Sequence, residues 1–118
     1  MKEGLSPQER IRKREDFLFL YKKGNRYRGK YFSLIYLSNN LAFSRIAVVA
    51  SKKIGNAVAR NKIKRWIRDL FRRNKELLKS PFDIIVVAKK EIQNATWSTL
   101  KKHYIAAIES ICQRRESP

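Results

Sequence analysis

The sequence has almost none of the residues from which small proteins build disulfides and zinc sites. Of its 118 residues, one is a cysteine, Cys112, and one is a histidine, His103. A lone cysteine forms neither an intrachain disulfide nor a cysteine-based zinc site, which excludes a disulfide-stapled scaffold. Because free thiols persist in reducing compartments, we expect a cytoplasmic protein.

Acidic residues are scarce as well. Asp and Glu number 10 against 28 Lys and Arg, which gives a formal net charge of +18. The acids that a metal site would draw on fall on separate predicted elements and form no close pair: Asp16, Asp69, Asp83 and Glu91. A two-metal nuclease needs converging carboxylates, so we predict no catalytic residue and no metal site in this chain. The cationic excess instead indicates a polyanionic partner, and nucleic acid is a better candidate than an anionic membrane or an acidic protein.

Long apolar runs, linkers and repeats are also missing. No apolar stretch approaches the roughly 20 residues that span a bilayer, so we expect no membrane partner. The chain carries no internal repeat, low-complexity tract or Gly/Ser-rich linker. With 43% apolar residues it can build one modest core, and we predict a single nucleic-acid-binding domain over residues 1–118.

Hydrophobic periodicity predicts three helices and at least three strands. Apolar residues three and four apart predict helices over 14–23, 57–74 and 96–113. Runs of β-branched and aromatic residues predict strands over 31–37, 43–51 and 82–88, with a further short strand in 25–30. The order helix, strands, helix, strand, helix is typical of an α/β (α+β) sandwich, in which helices pack on one sheet.

Local sequence also predicts how some of these elements are arranged. Ser38-Asn39-Asn40 has turn chemistry and predicts that strands 31–37 and 43–51 form an antiparallel hairpin. The uninterrupted Ile84-Ile85-Val86-Val87 run is typical of a strand buried on both faces, which predicts a central position in the sheet. On the first helix, either Phe17 with Leu20 or Leu18 with Tyr21 faces inward, because the members of each pair share a face.

The second helix combines an apolar stripe with a row of cations. The stripe follows the i, i+3, i+4, i+7, i+8 pattern of a buried face: Ile63, Trp66, Ile67, Leu70 and Phe71. The cations of the row lie four residues apart: Arg60, Lys64, Arg68 and Arg72. Between residues 52 and 75 there are 10 basic residues and one acid, whereas a solvated face normally mixes both signs. The helix therefore predicts a phosphate-binding surface, since an arginine fork can grip two phosphate oxygens.

Other functions fit parts of this pattern. A sequence-specific DNA-binding helix usually carries Asn, Gln, Ser or Thr beside Arg to read base edges, and only Asn61 qualifies here. A ribosomal or other structural RNA-binding protein shares the composition and the basic helix, and it stays the alternative. Phe17 and Tyr21, four residues apart and flanked by basic residues, suit either stacking on unpaired bases or packing in the core.

Residues 54–68, IGNAVARNKIKRWIR, resemble the signature of the ribonuclease P protein component. The resemblance covers nearly the whole chain, because three further groups stand at the family's spacing: Arg14-Glu15-Asp16-Phe17 with Tyr21 and Gly24, Ser51-Lys52-Lys53, and Phe82-Asp83-Ile84. Lys62 stands where many relatives carry arginine, which keeps the charge and loses the fork.

The resemblance implies a fold and an activity. The fold is a four-stranded, mostly antiparallel sheet with three helices in the order α-β-β-β-α-β-α. Its strand–helix–strand crossover is left-handed, although about 98% of such crossovers are right-handed. The activity is that of a ribonucleoprotein endonuclease, in which ribonuclease P RNA holds the catalytic site and its magnesium ions and precursor tRNA is the substrate. We expect the protein alone to bind no cofactor and no small-molecule substrate.

The resemblance also implies two RNA-binding surfaces that together assist removal of the 5′ leader. The second helix would meet the catalytic RNA through Arg60, Asn61, Lys62, Lys64, Arg65, Arg68 and Arg72. A cleft between the first helix and the sheet would hold the leader, with walls formed by Phe17, Tyr21, Phe32 and Leu34 and with phosphates met by Lys52 and Lys53.

Overall fold

The computed structural model describes residues 7–115, and its elements follow the predicted order. Within that range the chain forms three α-helices and four strands: α1 (Arg14–Lys23), β1 (Asn25–Arg28), β2 (Phe32–Ser38), β3 (Arg45–Val49), α2 (Ala57–Arg73), β4 (Phe82–Ala88) and α3 (Trp97–Arg115). Short 3-10 turns occur at Pro7–Glu9, Lys52–Ile54, Lys75–Leu77 and Lys90–Asn94. The predicted helices and strands are therefore confirmed, with ends shifted by about two residues at most in the strong elements.

The four strands form one mixed sheet in the order β1-β2-β4-β3. β4 lies between β2, to which it runs antiparallel, and β3, to which it runs parallel. The central position predicted for β4 is confirmed, and the predicted hairpin of β2 with β3 is wrong. The parallel β3–α2–β4 unit is the crossover whose left-handed turn the resemblance implies, and that handedness stays a prediction.

Most of the core lies between one face of the sheet and the helices α2 and α3. α2 contributes the predicted stripe, with Ile63, Ile67, Leu70 and Phe71 no more than 5% exposed and Trp66 partly buried. α3 contributes Leu100, Tyr104, Ile108 and Ile111, each no more than 2% exposed. The sheet side is formed by alternate residues of β2, β3 and β4: Phe32, Leu34, Tyr36, Ile46, Ile84 and Val86.

α1 packs on the opposite face of the sheet. Leu20 is 2% exposed against Ile35 and Ile85, and Phe17 is partly buried beside them. Leu18 and Tyr21 are each 49% exposed, so Phe17 and Leu20 form the inward pair. Only Phe17 and Leu20 of α1 pack on the sheet, so the helix covers one part of this face and leaves another part open.

An ion-pair network fixes the start of α1 to the sheet. Arg45 of β3 binds Asp83 of β4 through two hydrogen bonds, Nε–Oδ1 at 2.9 Å and Nη2–Oδ2 at 2.7 Å. The same guanidinium contacts Asp16 of α1 at 3.3 Å. This bidentate geometry orients the arginine more firmly than a single contact would, and it determines where α1 crosses the sheet.

The start of α2 is set by a cap and a glycine. Asn56 is the N-cap of α2, because its Oδ1 accepts a hydrogen bond from Ala59 N at 2.9 Å. Gly55 has φ 140°, a conformation that residues with a Cβ rarely adopt, and a Cβ there would lie 3.2 Å from Ala59 Cβ. These two residues turn the chain from the 3-10 turn at Lys52–Ile54 into the basic helix.

Candidate nucleic-acid interface

The open part of the α1 face is a cross-strand row at one end of the sheet. The strand register places Arg28 beside Ser33, Ser33 beside Val87, and Val87 beside Val49. Ser33, Val87 and Val49 are each partly exposed and Arg28 is exposed. The row therefore forms the floor of a cleft whose wall is α1.

Phe17 and Tyr21 form an aromatic wall on α1. Their rings are nearly parallel, with an interplanar angle of 12° and centroids 6.2 Å apart. Phe17 is partly buried against the cluster of Leu20, Ile35 and Ile85, whereas Tyr21 is 49% exposed. The sequence left open whether these rings pack in the core or are free to stack on bases. Phe17 packs in the core, whereas Tyr21 presents its ring to solvent.

Cations from β1 and the end of β4 surround the cleft. A cavity of about 300 Å³ is bounded by Tyr21, Arg26, Arg28 and Lys89, with Ser33 and Val87 at its base. The Arg26 guanidinium lies 5.1 Å from the Tyr21 ring centroid and donates to the Tyr21 carbonyl oxygen at 2.6 Å. Lys89 Nζ donates to Gly29 O at 2.5 Å. Both cations are therefore held beside the aromatic wall.

Sequence reasoning missed Arg26, Arg28, Ser33, Val87 and Lys89. A usable signal was present, because alternate residues of a strand share one face. Arg26 and Arg28 are two apart, and each pairs with a β2 residue on the face that α1 partly covers. The pairing of β1 with β2 was needed to connect them to the cleft.

The side chains of Phe32 and Leu34 lie away from the open floor of the cleft, although Leu34 also borders the cavity beside Tyr21, and their predicted contact with the leader stays a prediction. Phe32 is 2% exposed and Leu34 is 0% exposed, and both belong to the large core beneath α2 and α3. Their side chains point to the other face of the sheet because they alternate with Ser33 and Ile35. Ser33 and Ile35 are the β2 residues that face α1 and the cleft.

Lys52 and Lys53 lie at the same end of the sheet as the open row. They occupy the 3-10 turn at Lys52–Ile54, which is separated from Val49 by two residues, and both are exposed. Ser51 caps this turn, with its hydroxyl oxygen accepting from Lys53 N at 3.3 Å. Gln93 holds the turn from the other side, since its side-chain amide donates to Lys53 O at 3.1 Å and to Ile54 O at 2.6 Å.

The second cationic surface lies on α2, and its residues differ in exposure. Asn61, Lys62 and Arg65 are exposed on the side away from the core. The four-residue row of Arg60, Lys64, Arg68 and Arg72 is partly buried along one flank of the helix. The predicted residues therefore form one continuous surface, with an exposed crest and a half-buried flank.

The half-buried flank of α2 holds several positive charges with few negative charges beside them. Burial and, to a smaller extent, Arg10 lower the pKa of Arg68. Arg10 is placed there because Ile11 N donates to Ile46 O at 3.0 Å, which aligns the segment with β3. Arg60 Nε is buried and has no hydrogen-bond partner in the described part of the chain. Arg72 is anchored to Asp69 at 2.7 Å. An anion at this flank would offset the repulsion between Arg10 and Arg68.

Several acidic side chains near these surfaces are already bound to cations. Asp16 and Asp83 contact Arg45, Asp69 contacts Arg72, and Glu9 contacts Lys75 at 2.6 Å. Within residues 7–115, no group of three His, Cys, Asp or Glu side chains converges as metal ligands. No helix in the described part of the chain is both long and apolar enough to cross a membrane. His103 is partly buried, and its ring packs edge-on against Tyr31 with centroids 4.8 Å apart.

Comparisons with known proteins agree on one family. The ribonuclease P family model matches residues 5–112. A ribonuclease P protein component from Thermotoga sp. (strain RQ2) is 41% identical over 92 residues, covering 78% of this chain and 79% of that protein. The structure of the Thermotoga maritima RNase P protein matches with a TM-score of 0.80 at 34% identity, over 86% of this chain and 96% of that one. The Staphylococcus aureus RNase P protein matches with a TM-score of 0.81 at 34% identity, over 87% and 94% of the two chains.

Proposed function

The chain belongs to the ribonuclease P protein family, and from that premise we propose that it binds two RNAs through two different surfaces. The family membership makes it the protein component of an endoribonuclease complex with an RNA partner. α2 binds the catalytic RNA, and the cleft beside α1 binds the 5′ leader of precursor tRNA. The protein thereby assists removal of the leader to give the mature 5′ end.

The α2 contact is supported by the arrangement of its charges. Arg65 and Lys62 project from the crest, and Arg68 is half-buried near Arg10, with no ion pair to a carboxylate among residues 7–115. Phosphate oxygens of a folded RNA supply the missing negative charge, and an arginine fork can hold two of them. Because few side chains on this helix can read base edges, shape and phosphate position determine the recognition.

The leader contact is supported most strongly by the pairing of an exposed ring with an open, cation-edged floor. Tyr21 stands beside Arg26, Arg28 and Lys89 around a cavity of about 300 Å³. Single-stranded RNA binds where bases stack on aromatic rings and the backbone follows cations. A duplex offers no free base faces to such a cleft, so the geometry suits the unpaired leader better than the folded body of tRNA.

Catalysis and its magnesium ions belong, in this proposal, to the RNA partner. The support is that carboxylates near both surfaces are engaged by cations: Asp16 and Asp83 by Arg45, and Asp69 by Arg72. A carboxylate held by an arginine is poorly placed to bind a metal ion or accept a proton. The protein contributes binding and orientation, which are sufficient to raise the rate of a reaction catalysed elsewhere.

Identifying the RNA that copurifies with the protein tests the proposed partner. The protein is purified from its native cells under low salt, and the bound RNA is sequenced. We expect ribonuclease P RNA to be enriched over its cellular share, and an Arg65→Ala, Arg68→Ala variant to lose that enrichment. Enrichment of ribosomal RNA in its place would favour a structural ribosomal role.

A further inference from the structure

The only two tryptophans of the chain meet beside the basic helix. Trp66 of α2 and Trp97 at the start of α3 pack edge to face, with centroids 5.7 Å apart and an interplanar angle of 75°. Lys62 Nζ lies 4.6 Å from the Trp66 ring centroid. Both tryptophans are partly buried against the large core, and both keep part of their surface in solvent.

A cavity of about 220 Å³ lies next to Trp66 and Lys62. Its other walls are mainly apolar and come from three segments: Ile54, Ala59, Ile63, Ile92, Gln93 and Ala95. Gln93 ties two of these segments together through its bonds to Lys53 O and Ile54 O. We refer to this cavity with Trp66, Trp97 and Lys62 as the tryptophan notch, and its walls are preformed.

The tryptophan notch borders the cationic crest of α2. At about 100° per residue, Lys62 lies about 60° around the helix from Arg65, and Trp66 lies about 100° from it. The half-buried flank with Lys64 and Arg68 is on the other side of Arg65. An RNA that covers the crest therefore meets arginine on one side and an aromatic ring with a lysine on the other.

We propose that the tryptophan notch binds one unstacked base of the same RNA that contacts α2, an inference that rests on the proposed function of that helix. The base stacks on the exposed part of Trp66, and Lys62 moves from the ring to the adjoining phosphate. Indole rings suit this role because every base has a face to stack on. The apolar walls suit a flat aromatic group, and Lys62 supplies the charge that matches a phosphate.

Tryptophan emission from the unmodified protein provides the first test. Because both tryptophans of the chain lie in the notch, the whole signal reports on this site. The protein is titrated with a bacterial ribonuclease P RNA transcript, and quenching by acrylamide is measured with and without saturating RNA. We expect emission to fall with the binding curve and the tryptophans to become protected from acrylamide. Unchanged emission and unchanged acrylamide quenching at saturation would overturn the proposal.

Variants of Trp66 distinguish stacking from packing. Trp66→Leu should weaken binding of the transcript by roughly 5- to 150-fold, the range expected for one lost base stack. The slope of log K against log salt should stay unchanged, because no phosphate contact is removed, and Trp66→Phe should restore most of the affinity. Leu41→Ala, which alters an exposed apolar residue in the turn before β3, is the control and should bind as the parent does.

The outcomes separate this inference from the proposed function. If Arg65→Ala weakens binding and flattens the salt slope while Trp66→Leu binds normally, the α2 contact stands and the notch is only packing. If the unmodified protein does not bind the transcript, the proposed function itself fails. If Trp66→Leu does not fold, the decision rests on the emission and acrylamide data of the unmodified protein and on Trp66→Phe.

Discussion

Replacing Tyr21 with alanine tests the leader cleft without removing a core residue. The ring is 49% exposed, lies parallel to Phe17 and has Arg26 5.1 Å from its centroid. Loss of one base–aromatic stack typically costs about 1–3 kcal/mol, so precursor tRNA should bind roughly 5- to 150-fold more weakly. The cost to folding should be about 1.5–2.5 kcal/mol, half of the roughly 3–5 kcal/mol for a fully buried ring, because half of this ring is already in solvent.

The assay compares two RNAs on the same reconstituted holoenzyme. Affinity is measured for a precursor with a 5′ leader and for mature tRNA, and only the precursor should lose affinity in Tyr21→Ala. Phe19→Ala is a matched control, because Phe19 is an aromatic residue of the same helix, is 60% exposed and points about 160° away from Tyr21. Equal losses for both RNAs, or equal losses in the Phe19→Ala holoenzyme, would refute the assignment of Tyr21 to the leader.

Three other changes probe the remaining parts of the account. Replacing Arg65 and Arg68 together with alanine should leave the fold intact and flatten the slope of log K against log salt for the catalytic RNA by roughly 1.4–1.8; an unchanged slope in a folded variant would contradict the α2 surface. Asp83→Ala should lower the free energy of unfolding in urea by about 3 kcal/mol. The reason is that the two side chains of the Arg45–Asp83 pair are only 16–19% exposed, so the variant leaves a largely buried Arg45 without its main partner. A loss below about 1 kcal/mol would show that the network does not anchor the sheet. Leu34→Ala should cost about 2–5 kcal/mol of stability and affect precursor and mature tRNA alike, whereas a selective loss of precursor binding would show that the Leu34 side chain contacts the leader.

The elements and the buried face of α2 were predictable because they depend on short-range periodicity. Ile63, Ile67 and Leu70 are fixed on one side by the helical repeat alone, and all three are buried. Asn56 could be assigned as the N-cap because its short side chain competes well for the first free N–H groups of a helix. These features do not depend on which strands are neighbours.

The sheet order was not predictable from the same signals. Asn39 belongs to the turn after β2, yet its amide donates to Asp83 Oδ1 at 2.7 Å and its backbone N–H donates to Pro81 O at 3.1 Å. The turn chemistry was therefore recognised correctly, but the turn attaches to the start of β4 rather than closing a hairpin. Such long-range pairing of strands depends on how α2 and α3 pack on the sheet, and the local sequence pattern does not encode that packing.

The face of the sheet on which Phe32 and Leu34 lie was not predictable for a similar reason. In β2 both sets of alternate positions are apolar, with Phe32 and Leu34 in one set and Ile35 and Leu37 in the other. Alternation therefore separates two faces without showing which one α1 covers. The RNA contacts of the individual side chains stay predictions, as do the cytoplasmic location and the magnesium of the RNA partner.

Reconstitution of cleavage tests the central claim most directly. Purified protein, ribonuclease P RNA and both together are incubated with precursor tRNA, with and without magnesium, and the cleavage site is mapped. The account predicts no cleavage by the protein alone in any condition. With the RNA present, the protein should promote cleavage at the 5′ end of the mature tRNA. Robust cleavage by a homogeneous, RNA-free protein would contradict it.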